Sequence, residues 1–292
     1  MGICKKIWMV ATEGLNEWKR NYRIWTILTV IAVVLGRYTL PVSKFALENE
    51  LTTPITIFPL LMGDAMNSNG LPKVILFFGG IALLSNAPFI DKQKPYLVIR
   101  SGRKNWYKGE CLYIILASLI YLLWTTTVTC IYLAPTISLT HGWGSLIGAI
   151  AGGSINRFEA LNGIQCPVHV VNQVNYWIAV LYSYGSAWMI LIILGFLIYA
   201  INLYSKKRWI GIAAAVFLVL IDPVLYNLTS EKTNWYMIFS PVSWTSMENL
   251  QYLSGRGLLT GSYVVITGTA MMLILGGIIG RKVKRMDLFS EQ

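Results

Sequence analysis

Charge is scarce in this chain. Of its 292 residues only 13% are Asp, Glu, Lys or Arg, while 55% are apolar and the mean hydropathy is +0.56. Soluble domains carry about 25% charge, so a water-facing surface cannot be built from this composition. A disordered chain is excluded too, because such chains are poor in apolar residues. Histidine is nearly absent, with His141 and His169 alone. The four cysteines, at positions 4, 111, 130 and 166, form no CxxC pair and no regular spacing. Neither a disulfide framework nor a zinc module is indicated. Cys166 and His169 make one CxxH, but no second ligand pair accompanies it, and no metal is expected. No GxxxxGK run followed by Ser or Thr exists, so this chain has no phosphate-cradling loop of that type and any ATP is hydrolysed elsewhere. GxSxG and HExxH are also missing, so no catalytic residues are expected and the chain is not read as an enzyme. A polytopic membrane protein remains.

Long apolar runs are what the sequence does have. A helix crosses the roughly 30 Å hydrocarbon core with about 20 residues. Six stretches qualify: Ile24–Pro41, Val74–Ile90, Cys111–Pro135, Tyr176–Tyr204, Trp209–Thr229 and Leu258–Gly280. The expected fold is all-α, with six transmembrane helices. Pro54–Met62 and Trp143–Gly153 are too short to span and are expected to lie at the interface or re-enter.

The net charge of +11 has a position as well as a sign. Basic residues fill the N-terminus (Lys5, Lys6, Lys19, Arg20, Arg23) and the second-to-third connection (Lys92, Lys94, Arg100, Arg103, Lys104, Lys108). They also fill the fourth-to-fifth connection (Lys206, Lys207, Arg208) and the C-terminus (Arg281, Lys282, Lys284, Arg285). The opposite side has only Lys44, Lys73, Arg157, Lys232 and Arg256. The positive-inside rule then places both termini in the cytoplasm of a cell membrane. The positive charge is a topology signal, and no nucleic-acid partner is expected. The lipid bilayer is the expected surroundings.

Four segments stand out between and beside the spans. Residues 1–23 place Ile3, Ile7, Val10, Leu15 and Trp18 among charges, as an amphipathic helix on the inner membrane surface does. That helix is either a plain anchor or a brace for a cytoplasmic partner. The connection 91–110 reads DKQKPYLVIRSGRKNWYKGE, an apolar core at Tyr96–Ile99 flanked by basic residues and a Gly turn. Topology alone needs the charges but not the apolar core, so a short helix offered to a cytoplasmic partner is expected. On the outer side, 136–175 and 230–256 are too small for folded enzyme domains and are expected to form short capping helices. Within the second, Ser240-Pro241 starts a small helix, since Pro suits the first turn. The final span carries Gly276-xxx-Gly280, which permits close helix contact.

Together these parts resemble the ABC-2-type permeases, the membrane subunits of one class of ATP-binding cassette transporter. PYLVIRSGRKNWYKGE is similar to the coupling helix of that family, and SPVSW at Ser240–Trp244 to its outer helical hairpin. The Glu-Gly-Thr run common near the coupling helix is missing, which marks a divergent member resembling the Gram-positive branch. The resemblance implies a separate ATPase chain that holds ATP and Mg, a second permease copy or sister permease, and export through a path between the two. It implies that Tyr96, Leu97, Ile99, Arg100, Arg103 and Trp106 contact the ATPase, and that Pro241 and Trp244 belong to an extracellular gate helix. A peptide, an antibiotic or a lipid-like substrate fits the apolar character of the chain. Two other classes stay open: an ion-coupled secondary carrier, and a non-transporting immunity or sensor protein.

Two charges lie inside the expected spans, Arg37 in the first and Asp222 in the fifth. Both sit roughly 20 Å above the inner interface at 1.5 Å per residue. Lone intramembrane charges are costly and usually pair. One reading pairs them as a latch that closes the outer end of the path. In the other, Arg37 snorkels to the headgroups and Asp222 bonds to backbone beside Pro223.

Overall fold

The computed structural model describes residues 2–55, 71–85, 87, 94–138, 142–161, 168–205, 207–228, 236–247, 250 and 259–285. Its elements are helical: α1 (Ile3–Asn16), α2 (Tyr22–Glu48), α3 (Leu71–Leu84), α4 (Lys94–Ser101), α5 (Arg103–Leu133), α6 (Gly144–Ala151), α7 (Arg157–Leu161), α8 (Val168–Gln173), α9 (Tyr176–Ser205), α10 (Arg208–Leu228), α11 (Tyr236–Phe239) and α12 (Gly261–Arg285). Short 3-10 helices cover Glu17–Lys19 and Pro241–Thr245. The only extended pairing among the described residues is two isolated bridges, Thr53 with Ile137 and Leu250 with Leu259.

Four helices, α2, α5, α9 and α12, are long and apolar enough to cross a membrane, and the chain is an all-α membrane protein on that ground. The second and fifth spans expected from the sequence fall on α3, of 14 residues, and α10, of 21. The first helix runs past Pro41 to Glu48 instead of stopping. Proline removes one N–H, and the carbonyl left without its intrahelical donor is that of Arg37. One lost bond does not end a helix whose other face is packed.

α9 is apolar on every side, as a helix buried on all sides must be. It packs against α3, α5, α10 and α12. α2 is buried along one stripe, Ile24, Leu28, Ile31, Leu35, Val42 and Ala46, and that stripe meets α3 and α5. Polar bonds fix the depth of each helix. Arg23 donates to the Ala82 carbonyl at 3.0 Å and also to Ser85 Oγ, tying the start of α2 to the end of α3. Asn202 Nδ2 donates to the Ala87 carbonyl at 2.6 Å, and its Oδ1 accepts from the Gly211 N–H at 3.2 Å. One side chain thereby joins α3, α9 and α10.

These antiparallel pairings give the molecule two ends. At one lie α1, the starts of α2, α5 and α10, and the ends of α9 and α12, where Lys282 Nζ stands 4.8 Å from the centre of the Tyr204 ring. The described basic residues of the N-terminus, α4–α5, α10 and α12 gather there. At the other end α6 is tied to the residues after α2. Ser145 Oγ accepts from the Thr52 N–H at 2.7 Å, and the Leu146 N–H donates to the Thr52 carbonyl at 3.0 Å. The short segment at Trp143–Gly153 is therefore a packed helix, with Leu146 and Ile147 fully buried. Pro54 and Ile55 are described, but the remainder of Pro54–Met62 lies outside the described residues.

Candidate functional site

Two clusters carry the chemistry. The first is the elbow between α4 and α5. Gly102 sits at φ +83, a left-handed conformation that glycine adopts without strain. Its N–H donates to the Val98 carbonyl at 2.8 Å, closing α4, and its own carbonyl accepts from Trp106 N–H at 2.9 Å, opening α5. Ile99 is 66% exposed and Arg100 is exposed, whereas Val98 and Ser101 are buried. Arg103 is half-buried. The backbone of Tyr96 and Leu97 is within α4, but their side chains lie outside the described residues.

Trp106 departs from the sequence reading. It was expected on a surface facing a partner, yet it is 1% exposed and its Nε1 has no hydrogen-bond partner among the described residues. The reason is periodic. Trp106, Gly109, Tyr113, Ala117 and Tyr121 fall on the buried face of α5 at helical spacing. The exposed surface of the elbow is α4 and the outer side of the first α5 turn.

α1 backs this elbow. It runs along the start of α5 and touches α4. Gly109 lets the helices approach: an added Cβ would stand 3.0 Å from the Ile7 carbonyl oxygen and against Val10. Trp18 Nε1 donates to Tyr113 Oη at 2.8 Å, pinning the end of α1. Val10 and Ala11 are buried. One face of α1 is thus held by protein.

The second cluster lies at the opposite end, where α3, α10 and the Pro241–Thr245 turn converge. Asp222 is fully buried. Ser240 Oγ donates to its Oδ1 at 2.8 Å, and Ser243 Oγ donates to the same oxygen. Lys73, also fully buried, donates to Ser246 Oγ at 3.0 Å, and its charge acts on Asp222. Asp222 Oδ2 has no hydrogen-bond partner among the described residues. Local geometry explains the serines. A 3-10 helix turns once every three residues, so side chains three apart eclipse. Ser240, Ser243 and Ser246 therefore present three buried hydroxyls, two towards Asp222 and the third towards Lys73.

The expected pairing of Arg37 with Asp222 is not formed. Arg37 is exposed on α2 and makes no hydrogen bond or ion pair among the described residues. It lies two residues beyond buried Leu35, about 200° around the helix from the packed stripe. Depth was shared, but the face was not. Asp222 is bonded instead by Ser240 and Ser243, and buried Lys73, which the sequence reading left outside the spans as a loop charge, bonds to Ser246 of the same turn.

The outer helix expected at SPVSW is also different. It is a four-residue α-turn followed by the 3-10 turn, with Pro241, Val242, Ser243, Trp244 and Thr245 all buried. Trp244 Nε1 donates to the Met237 carbonyl at 3.1 Å, and Tyr182 Oη donates to the Trp244 carbonyl at 2.7 Å. Tyr263 meets the Trp244 ring edge-on at 6.1 Å and donates to the Ile238 carbonyl at 3.1 Å. The segment is thus inserted between α9 and α12 rather than laid on a surface.

Cys166 and His141 lie outside the described residues, and His169 is exposed on α8. Among the described residues no three His, Cys, Asp or Glu side chains converge on a metal-sized site. Comparison with family models, with curated proteins and with solved structures finds no match for this chain.

Proposed function

We propose that this chain is the membrane permease subunit of an ATP-binding cassette exporter, resembling the ABC-2 type. It would have six spans, with α3 and α10 as the second and fifth, and both termini on the cytoplasmic face of the cell membrane. ATP and Mg belong to a separate ATPase, and a second permease completes the path for a peptide, antibiotic or lipid-like substrate. The observation that carries this reading is the elbow. A short helix with Ile99 and Arg100 exposed projects at the end where the basic residues gather, and α1 braces it from behind. A rigid mount of this kind transmits motion from a docked partner to α5.

The test is a charge reversal. Arg100→Glu with Arg103→Glu should leave membrane insertion intact and weaken ATPase docking by about tenfold, since each docking charge contributes on the order of 1 kcal/mol. Substrate-stimulated ATP hydrolysis falls with it. Normal assembly and hydrolysis by the double variant would remove the elbow from the mechanism, and failure of any ATPase to co-purify would remove the exporter reading.

Topology has its own check, at exposed positions. Single cysteines at Lys104 and Lys207 should react only from the cytoplasm, and those at Ser154 and Ser262 only from outside. Reaction of Ser154→Cys from the cytoplasm overturns the six-span arrangement.

A second reading, an ion-coupled carrier, draws support from one feature. Carriers mark their ion path with buried ionisable groups, and Lys73 and Asp222 are two such groups. Transport that collapses with a proton or sodium gradient and ignores ATP would select it.

A further inference from the structure

We propose that the cleft where the start of α6 meets the α8–α9 junction is a binding site for a quaternary ammonium group. The cleft has a volume of about 220 Å³ and is lined chiefly by Trp143, Val171, Val174, Asn175, Tyr176 and Trp177. Its three rings meet as walls meet at corners. Trp143 and Tyr176 lie 5.3 Å apart between centres at 80°, and Tyr176 and Trp177 lie 5.4 Å apart at 67°. Two hydrogen bonds fix this arrangement. Trp143 Nε1 donates to the Val174 carbonyl at 3.2 Å, and the Trp177 N–H donates to Asn175 Oδ1 at 2.9 Å at the start of α9. The walls are therefore set before a ligand arrives, which lowers the ordering cost of binding.

The chemistry of the walls selects the occupant. Among the described residues that line the cleft none is charged, so an anion finds no cation to hold it. A lysine-type ammonium is strongly hydrated and needs acceptors in exchange for its water. A sugar needs partners for its hydroxyls, yet the Trp143 N–H and Asn175 Oδ1 are already engaged. A quaternary ammonium has no N–H and spreads its charge over methyl groups. It is attracted to aromatic faces within about 6 Å, with tryptophan the best of them. Size agrees with this choice. The cleft is smaller than the roughly 300 Å³ at which drug-sized pockets begin, so it takes a head group and not a whole lipid or peptide. Trp177 is 47% exposed and forms the rim, outside which the remainder of the ligand stays. α9 is long and apolar enough to span, which sets its first residues at headgroup depth. Two sources share the chemistry: the phosphocholine head of a lipid and a free choline-type cation. The site goes beyond the exporter reading and does not depend on it.

The experiment uses the full chain in maltoside micelles and compares choline with its neutral tert-butyl analogue, in which carbon replaces nitrogen. Saturation-transfer NMR on the methyl signals gives both dissociation constants. Choline should bind about tenfold or more tightly than the analogue, since only the charge differs. Trp177→Leu should weaken choline by about fivefold or more, while Trp177→Phe keeps a ring face and loses less. Val171→Phe, which fills the cleft, should abolish binding and covers the case in which Trp177→Leu fails to fold. A second arm places the chain in phosphatidylglycerol vesicles with or without phosphatidylcholine, against protein-free vesicles. Loss of choline binding when phosphatidylcholine is present supports the site with a lipid as its source. Binding that ignores phosphatidylcholine supports it with a soluble cation. Equal affinity for choline and the neutral analogue overturns the proposal, because the rings would then be an apolar interfacial belt. Choline binding unchanged in Val171→Phe overturns it too, as does no binding to the parent chain in either setting.

Discussion

Lys73→Met should destabilise the protein in detergent by about 1–3 kcal/mol, the usual loss when a buried hydrogen-bonded group is removed and its polar neighbours stay behind. The magnitude follows from what is left behind. Asp222 keeps two serine hydroxyls on Oδ1 but has no hydrogen bond on Oδ2 among the described residues, and no water-exposed surface over which its charge can spread. The exposed pair Lys44–Glu48, 3.8 Å apart, is the internal control. Its side chains are 79% and 61% exposed, and its loss should cost under about 1 kcal/mol. The thermal midpoint of purified protein, followed by monodispersity after heating, measures both. Lys73→Met with Asp222→Asn should recover most of the loss, because Asn keeps an acceptor for the serines and carries no charge. A double variant as unstable as Lys73→Met alone would mean that packing of the lysine stem, not its charge, holds this site.

The second large effect is expected at Gly109. Gly109→Val should detach α1 from α5. An added Cβ meets the Ile7 carbonyl oxygen at 3.0 Å, and backbone cannot swing aside as a flexible side chain can. Valine adds two methyl groups beyond that Cβ. Overpacking of this kind costs about 1–3 kcal/mol, comparable to what the burial of Val10 and Ala11 supplies. Hydrogen exchange across Ile3–Asn16 should therefore accelerate by about ten- to a hundredfold while α9 keeps its protection. Unchanged exchange in α1 would show that the Trp18–Tyr113 bond alone retains it. If the elbow is a docking mount, Gly109→Val should also weaken ATPase stimulation without touching Arg100 or Arg103.

Much of this architecture was legible in the sequence. Long apolar runs of period 3.6 or with no polar face announce α2, α5, α9 and α12, because bilayer thickness constrains them more tightly than water constrains a soluble helix. The amphipathic pattern of Ile3–Asn16 was equally clear, although which surface it covers was not. Side-chain facing was the harder problem. Arg37 and Asp222 were matched by depth, which sequence gives, and separated by rotation, which depends on the packed stripe around Leu35. Trp106 is placed on a partner-facing surface by the resemblance to a coupling helix, and a motif position carries no information on helix rotation. Counting from Tyr113 back by seven would have put it on the buried face. Lys73 was missed because it stands at the start of an apolar run, where a lysine usually snorkels. The serines at 240, 243 and 246 did leave a signal. Their spacing of three is the repeat of a 3-10 turn.

α2 has a further consequence for the surrounding lipid. Its 27 residues rise about 40 Å, against roughly 30 Å of hydrocarbon. A span longer than its slab has to tilt, bend or thicken the bilayer around it. Pro41 gives this helix a place to bend, because the Arg37 carbonyl lacks its intrahelical donor there. Thicker bilayers would let α2 stand straighter, and thinner ones would fold its outer third over. Lipid thickness thereby becomes a variable of how this helix meets the residues that follow it.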